Sequence, residues 1–408
     1  MKIAPTRFCL LVLAASLAFP PPGLAQTETV QALEKKAYQL HVDGRRAEAA
    51  KVQEEAIRIV ESRQGAQSPD LIPMLRALGG IFNGSPGREK ERITVMVRAV
   101  GIAENAYGRD NPKLLEILLY LASTYTNQKQ FAESEAVRKR AIAIAEKAHG
   151  PEGAQVGSQL MGLANGYLAA KQYPEAEATF RRSLALYEKT PKFEHAGHAS
   201  LYSGLASVYM GEGKPAEAEV QLTRAINFWE NGLDVQQGWF TPRQSAENLE
   251  ELYRLKAEIE RKLGRIDDAV KSGERRLTLA DGVLPPDKVY VALWQLGDGY
   301  VEVKRLAEAE AQFRRALPFA ENLAGRESFD ASMIHQKLGR VWAAGRRWKD
   351  AEGAFRRSLV IREKLWGPRD PDLRPLLEEL ARACRETGLG EEAQKLAARA
   401  RSLPQRKP

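Results

Sequence analysis

Residues 121–136 read LASTYTNQKQFAESEA, residues 163–178 read LANGYLAAKQYPEAEA, and residues 205–220 read LASVYMGEGKPAEAEV. Their tyrosines, Tyr125, Tyr167 and Tyr209, stand 42 residues apart. The register returns in LGDGYVEVKRLAEAEA (296–311), LGRVWAAGRRWKDAEG (338–353) and LARACRETGLGEEAQK (380–395), where Tyr300, Trp342 and Cys384 hold the same slot. Nine residues after each of these six comes a small residue: Ser134, Ala176, Ala218, Ala309, Ala351 and Ala393. Six segments in one register make an internal repeat, and a repeat decides the fold before any local reading does. Weaker copies surround Ala37, Leu40 and Ala49, then Gly79 and Phe82, where Glu91 stands in the small slot. The copy over Leu255–Ala269 is irregular and carries charges at positions that are apolar elsewhere. About nine units result, the last one partial.

Each unit reads as two antiparallel helices. The first carries Leu-Ala/Gly-x-x-Tyr. A turn follows, marked by Pro174, Gly213, Pro215, Gly264 and Gly345. The second carries Ala-x-x-x-Phe, as in Ala176/Phe180, Ala309/Phe313 and Ala351/Phe355, which places both residues on one helical face. Gly65/Pro69, Gly108/Pro112 and Gly367/Pro371 then stop the second helix. One such unit cannot bury its apolar face alone, so neighbours must stack.

These residues resemble the tetratricopeptide repeat, over roughly 30–403. The usual repeat is about 34 residues; the longer period, with tails such as AEKAHG (145–150) and REKLWG (362–367), looks like the kinesin-light-chain subtype. The resemblance implies an all-α fold, a right-handed α–α superhelix of antiparallel helix pairs with a concave groove. It implies two arrays, 26–228 with about five repeats and 246–404 with about four. Between them lies an irregular insertion, 229–245, where Gly232, Gly238 and Pro242 suggest a loop. Its Trp229 and Trp239 read either as packing of a bridge or as a partner-binding or dimerising patch.

The ends read differently. Lys2 and Arg7 precede an apolar run from Phe8 to Phe19, followed by Pro20 to Pro22 and Gly23-Leu24-Ala25. That pattern is a secretory leader, residues 1–25, cut after Ala25; prolines end the run too early for a membrane anchor. The expected location is periplasmic or secreted, with no integral span once the leader is removed. Residues 405–408 are a tail. The mature chain then has one cysteine, Cys384, in a core slot, so no intrachain disulfide forms. The whole chain is 44% hydrophobic, 28% charged and +8 at pH 7. That composition suits a globular chain and excludes a polytopic membrane protein or a disordered one.

Chemistry is sparse. Glu194-His195 and His198 sit in a linker without a third ligand, so no metal site is expected. His41, His149 and His335 are isolated. Gly388-x-Gly390-x-x-Ala393 lacks a preceding strand and falls in a helix-to-helix turn, so it is no dinucleotide loop. No catalytic residue and no cofactor is assigned. The Phe-Arg-Arg triplets at 180–182, 313–315 and 355–357 are expected to point both arginines outward into solvent. Nucleic acid is not an expected partner, because no aromatic stacking series accompanies the mild basic charge.

The resemblance places binding on the first helices, beside the Leu/Ala core face. Carried onto this chain, that face holds Asn127, Met161, Asn165, Ser207, Met210, Trp294, Asp298, Glu302, Gln336, Arg340 and Arg382. Asn can pair with an extended peptide backbone, and Met and Trp with its apolar side chains. Arg340 and Arg382 could together hold a carboxylate. The expected protein is therefore not an enzyme but an exported scaffold that binds a protein or peptide partner in its groove and supports an envelope complex. The alternative is an adaptor that presents substrates to a periplasmic protease or cell-wall enzyme; a catalyst in its own right is the third reading.

Overall fold

The computed structural model describes residues 22–83, 85, 87–189, 195–231 and 240–404, without the side chains of 22–28, 154, 195 and 196. Most of the leader (1–21), Glu194, Trp239 and the tail 405–408 lie outside the described residues. The regular structure described is entirely helical. It forms nine pairs: α1 (Pro22–Val42) and α2 (Arg46–Gln64); α3 (Leu71–Phe82) and α4 (Glu89–Tyr107); α5 (Leu115–Asn127) and α6 (Phe131–His149); α7 (Ala154–Ala169) and α8 (Tyr173–Glu188); α9 (His195–Gly211) and α10 (Pro215–Asn231); α11 (Pro242–Lys262) and α12 (Ile266–Ala280); α13 (Pro286–Glu302) and α14 (Leu306–Ala324); α15 (Phe329–Ala344) and α16 (Trp348–Trp366); α17 (Arg374–Glu386) and α18 (Gly390–Ser402). The ninth pair, expected to be partial, is short but complete.

Two turns set the period, and they differ physically. Within a pair, one residue takes the left-handed conformation: Gly44, Gly87, Lys129, Lys171, Gly213, Gly264, Lys304, Arg346 or Gly388. Outside the Gly87 turn, the next N–H reaches back five residues, as Gln130→Tyr125, Lys214→Tyr209, Arg305→Tyr300, Arg347→Trp342 and Leu389→Cys384, at 2.7–2.9 Å. This closes the first helix with the longer of the two bonds of a Schellman turn. The slot that repeats in the sequence is thus the residue whose carbonyl anchors the turn. Between pairs, Gly65, Gly108, Gly150, Gly325 and Gly367 combine φ of 78–95° with ψ of 153–160°. Only glycine occupies that region without strain. Each donates to a glutamate carbonyl four residues back.

The chain divides into two compact units, one up to Gly162 and one from Leu163. In the first, successive helices from α1 to α6 pack on each other; in the second, those from α8 to α18 do. The expected insertion between two arrays is 229–245. The helices α10 and α11 pack against one another across that stretch, so it interrupts the sequence period and not the stack. Within 229–245, α10 continues through Asn231 and α11 begins at Pro242 with a Thr241–Gln244 capping box. Trp229 is only 6% exposed and meets Phe228 and Phe240 edge-on, at 5.3 and 4.9 Å. Trp229 is a core residue.

The small-residue slot packs as expected. Ala49, Ala176, Ala218, Ala309 and Ala351 are fully buried, and so are Phe180, Phe313 and Phe355. A Cβ on Gly297 or Gly339 would stand 2.5 Å from the ring of Phe313 or Phe355, so the two helices meet at backbone distance. In the second pair the small slot is filled not by Glu91 but by Arg92, because the span from Phe82 to the start of α4 is one residue longer than the matching span from Tyr125 to the start of α6. Arg92 is buried and donates to Asn83 Oδ1 at 2.8 Å; burial pulls its pKa down. The irregular copy is built on charge. The side chains of Arg276 and Glu250 are 6% and 1% exposed and pair at 2.5 Å. Nearby, Ser272 Oγ donates to the buried Glu260 at 2.6 Å, and burial holds that carboxyl above its usual pKa.

The Phe-Arg-Arg triplets point outward as expected: Arg181, Arg182, Arg314, Arg315 and Arg357 are exposed and Arg356 is half-buried. The first arginine clasps the next repeat. Arg181 Nη2 donates to Tyr209 Oη at 2.9 Å, the Arg314 guanidinium lies 5.6 Å from the Trp342 ring centre, and Arg356 Nη2 reaches Cys384 Sγ at 3.7 Å. Each is held by a glutamate four residues earlier: Glu177, Glu310 or Glu352. The repeated sequence Ala-Glu-x-x-Phe-Arg therefore encodes a contact between neighbouring repeats. Cys384 is buried beneath its clasp, and burial raises its pKa, which makes it a packed thiol.

Candidate binding surface on the first helices

The structure brings Trp294, Asp298 and Glu302 together. They follow at i, i+4 and i+8 on α13 and share one wall of a cavity of about 280 Å³ between α11 and α13. The facing wall is Arg254, Glu258 and Arg261 of α11, with Gln295 from α13. Those four were missed in the sequence, although Arg254, Glu258 and Arg261 show the i, i+4, i+7 spacing of one helical face. The three on α11 belong to the irregular repeat, so the register that located the others did not reach them.

The charges here are paired across repeats. Glu302 accepts from Arg261 Nε at 3.2 Å. Both oxygens of Asp298 accept from Lys337 Nζ, at 2.7 and 2.6 Å, and the same ammonium lies 5.1 Å from the Trp294 ring centre. Arg340 Nε donates to Glu379 at 2.6 Å. Opposite charges thus alternate along α11, α13, α15 and α17, and each exposed pair adds little energy while fixing the register of neighbours.

Three of the expected groove residues are engaged within the chain. Gln336 is not open to a partner: it is buried, donates to Glu379 at 2.7 Å and accepts from buried Arg362 at 2.7 Å. Arg340 already holds Glu379 of the next repeat. Arg382 stacks 5.4 Å from the Trp348 ring centre rather than joining Arg340 in a clamp. Asn127 and Asn165 are exposed, and Met161, Ser207 and Met210 are half-buried. Ser207 Oγ is turned to its own helix, donating to Ser203 O at 3.0 Å.

His198 lies edge-on to Tyr187, with ring centroids 5.7 Å apart, and the side chain of His195 is outside the described residues. Among the described residues, no group of three His, Cys, Asp or Glu is placed to hold a metal ion. Among them too, no helix is long and apolar enough to cross a membrane.

Residues 113–189 and 158–231 match the sequence model of the tetratricopeptide repeat. No curated protein matches the chain. Among solved structures, the chain is similar to the C-terminal part of a TPR repeat-containing protein from Cytophaga hutchinsonii, with 15% identity, 71% of this chain and 96% of that one covered, and a TM-score of 0.51. It is also similar to a signal transduction ATPase with numerous domains and a tetratricopeptide repeat sensor from Pyrococcus horikoshii, with 13% identity, 86% and 52% covered, and a TM-score of 0.53. BtubC (BKLC) from P. vanneervenii matches at 21% identity over 62% of this chain and 96% of that one, with a TM-score of 0.43. Over residues 113–231 the repeat period, the helix pairing and the sequence match agree on tetratricopeptide repeats.

Proposed function

We propose that this chain is an exported, non-enzymatic scaffold that binds a protein or peptide on its first helices and supports assembly of an envelope complex. The observation that carries this reading is the cavity between α11 and α13. It offers a half-exposed tryptophan between two rows of charge, which suits a segment carrying an apolar side chain among polar ones. The secretory pattern of residues 1–25 and the 42-residue, kinesin-light-chain-like period support the export and subtype parts of the reading.

Affinity capture from an envelope extract tests it, comparing wild type with Trp294→Ala. The expected result is a defined partner retained by wild type and weakened at least about tenfold by the variant, the loss typical of removing one buried aromatic anchor. Equal retention by a folded Trp294→Ala variant would move the binding surface elsewhere. A hydrolase as the captured partner would favour the adaptor reading.

A further inference from the structure

In the third pair a charge fills a core slot. Four residues after the small slot, Phe180, Leu222, Phe313 and Phe355 are each at most 2% exposed. The same step after Ser134 holds Arg138, which is 6% exposed. The two departures from Ala and Phe belong together. Ser134 Oγ donates to Ala122 O at 2.9 Å and accepts from Arg138 Nε at 3.3 Å. Among the described residues, that hydroxyl is the only hydrogen-bond partner of the Arg138 guanidinium, and no carboxylate pairs with it. Both NH₂ groups of the fork, Nη1 and Nη2, are left to be satisfied. The other buried arginines are answered from within the chain: Arg276 by Glu250, Arg362 by Gln336 and Ser332, and Arg92 by Asn83. Burial pulls the Arg138 pKa down to about 10, which still leaves it charged at neutral pH.

The space beside it comes from a glycine. A Cβ on Gly162 would stand 2.5 Å from Arg138 Nη1 and 3.5 Å from Leu119 Cδ1. The guanidinium therefore lies against the backbone of α7, with Leu119 of α5 next to it. Gly162 is half-buried and Leu119 is exposed, so solvent reaches the edge of this contact. Residues 119, 134, 138 and 162 all belong to the first compact unit.

A buried charge without a counter-charge is among the costliest groups a core can hold, and an arginine does not escape by losing its proton. A water molecule would accept from the fork but leave the charge unbalanced. One anion does both, because it accepts charge-assisted hydrogen bonds and cancels the charge. We propose that Arg138 binds a small inorganic monoanion, chloride being the simplest, between α5 and α7, and that this ion supports the packing of the third pair. The site requires no protein partner, so it stands apart from the α11–α13 cavity and from the scaffold reading.

The test measures thermal unfolding of the full chain as sodium chloride replaces sodium fluoride at constant ionic strength. Line broadening in the chloride NMR signal reads binding directly. Arg138→Phe removes the charge and supplies the ring that the register carries elsewhere. A Cβ on Gly204 would stand 2.5 Å from the ring of Phe180, so a ring over a glycine at this step has a precedent in the same chain. Arg138→Met is the second variant, an unbranched apolar chain that serves if the ring does not fit. The expected result is a saturable gain in the melting temperature of wild type, at least about 2 °C over either variant at roughly 150 mM chloride. Chloride broadening is expected with wild type and not with the variants. A melting temperature and a linewidth that respond equally in wild type and variants, or in none of them, would leave Arg138 to water and overturn the proposal.

Discussion

At the scale of single residues, two kinds of positive φ make opposite predictions. Lys304 sits at φ 61°, in the left-handed region, where a side chain costs about 1–2 kcal/mol. Glycine there relieves that strain but loses more entropy on folding, so Lys304→Gly is expected to change stability by no more than ~1 kcal/mol. Gly367, at φ 87° and ψ 158°, lies where only glycine fits. Gly367→Ala is expected to cost about 2–3 kcal/mol in urea unfolding; equal effects of the two substitutions would refute the distinction. Glu260 gives a pH prediction. Burial raises its folded pKa above the unfolded one, so its favourable contribution is complete below the unfolded carboxyl pKa and is lost as pH rises through the folded value. Glu260→Gln is therefore expected to gain stability relative to wild type at neutral pH, with the gain shrinking as pH falls to about 4. Melting temperatures at pH 4 and pH 7 check this. A gain that grows on acidification would show that the ionised form is the one the fold favours.

At the scale of helix pairs, the close approach of α13 and α14 rests on Gly297 against Phe313. Gly297→Ala overpacks that contact and is expected to cost about 1–3 kcal/mol. In a Phe313→Leu background the same change should cost clearly less, because the ring it meets is gone. A double-mutant cycle measured by chemical denaturation reads the coupling, and additive costs would place the strain elsewhere. The Glu-Arg clasp on the next repeat works at this scale too. It explains why the aromatic slot accepts Tyr209, Trp342 and Cys384 alike: an arginine can donate to a hydroxyl, stack on a ring or cover a thiol.

At the scale of the whole molecule, the repeats within each unit lean on their neighbours. Leu403 folds back onto the core of α16–α18, and Arg374 Nη2 holds its carbonyl at 2.7 Å. Truncation after Gly367 would bare Phe355 and Leu359 of α16, which pack in that core. The truncated chain is expected to melt at least several degrees lower and to aggregate on heating; an unchanged melting curve would mean that the ninth pair contributes nothing. The export part of the function is checked by cell fractionation with N-terminal sequencing. The expected outcome is a mature chain beginning at Gln26 outside the cytoplasm, and an uncut cytoplasmic chain would withdraw the envelope proposal.

The sequence by itself determined the repeat, its two-helix content and its buried slots. A stack of like units imposes the same small, aromatic and turn residues at a fixed interval, and a fixed interval is visible in one dimension. Ala176, Ala309 and Phe355 could be read as core for that reason. Tertiary structure alone decided where the register failed. It moved the small slot from Glu91 to Arg92, paired Arg276 with Glu250 inside the irregular copy, and turned Gln336 and Arg340 from partner contacts into links between repeats. It also made Arg181, Arg314 and Arg356 clasps between neighbouring repeats. These depend on which side chain of one helix meets which of the next, and a charge in a sequence does not show whether its partner is water, a neighbour or a ligand.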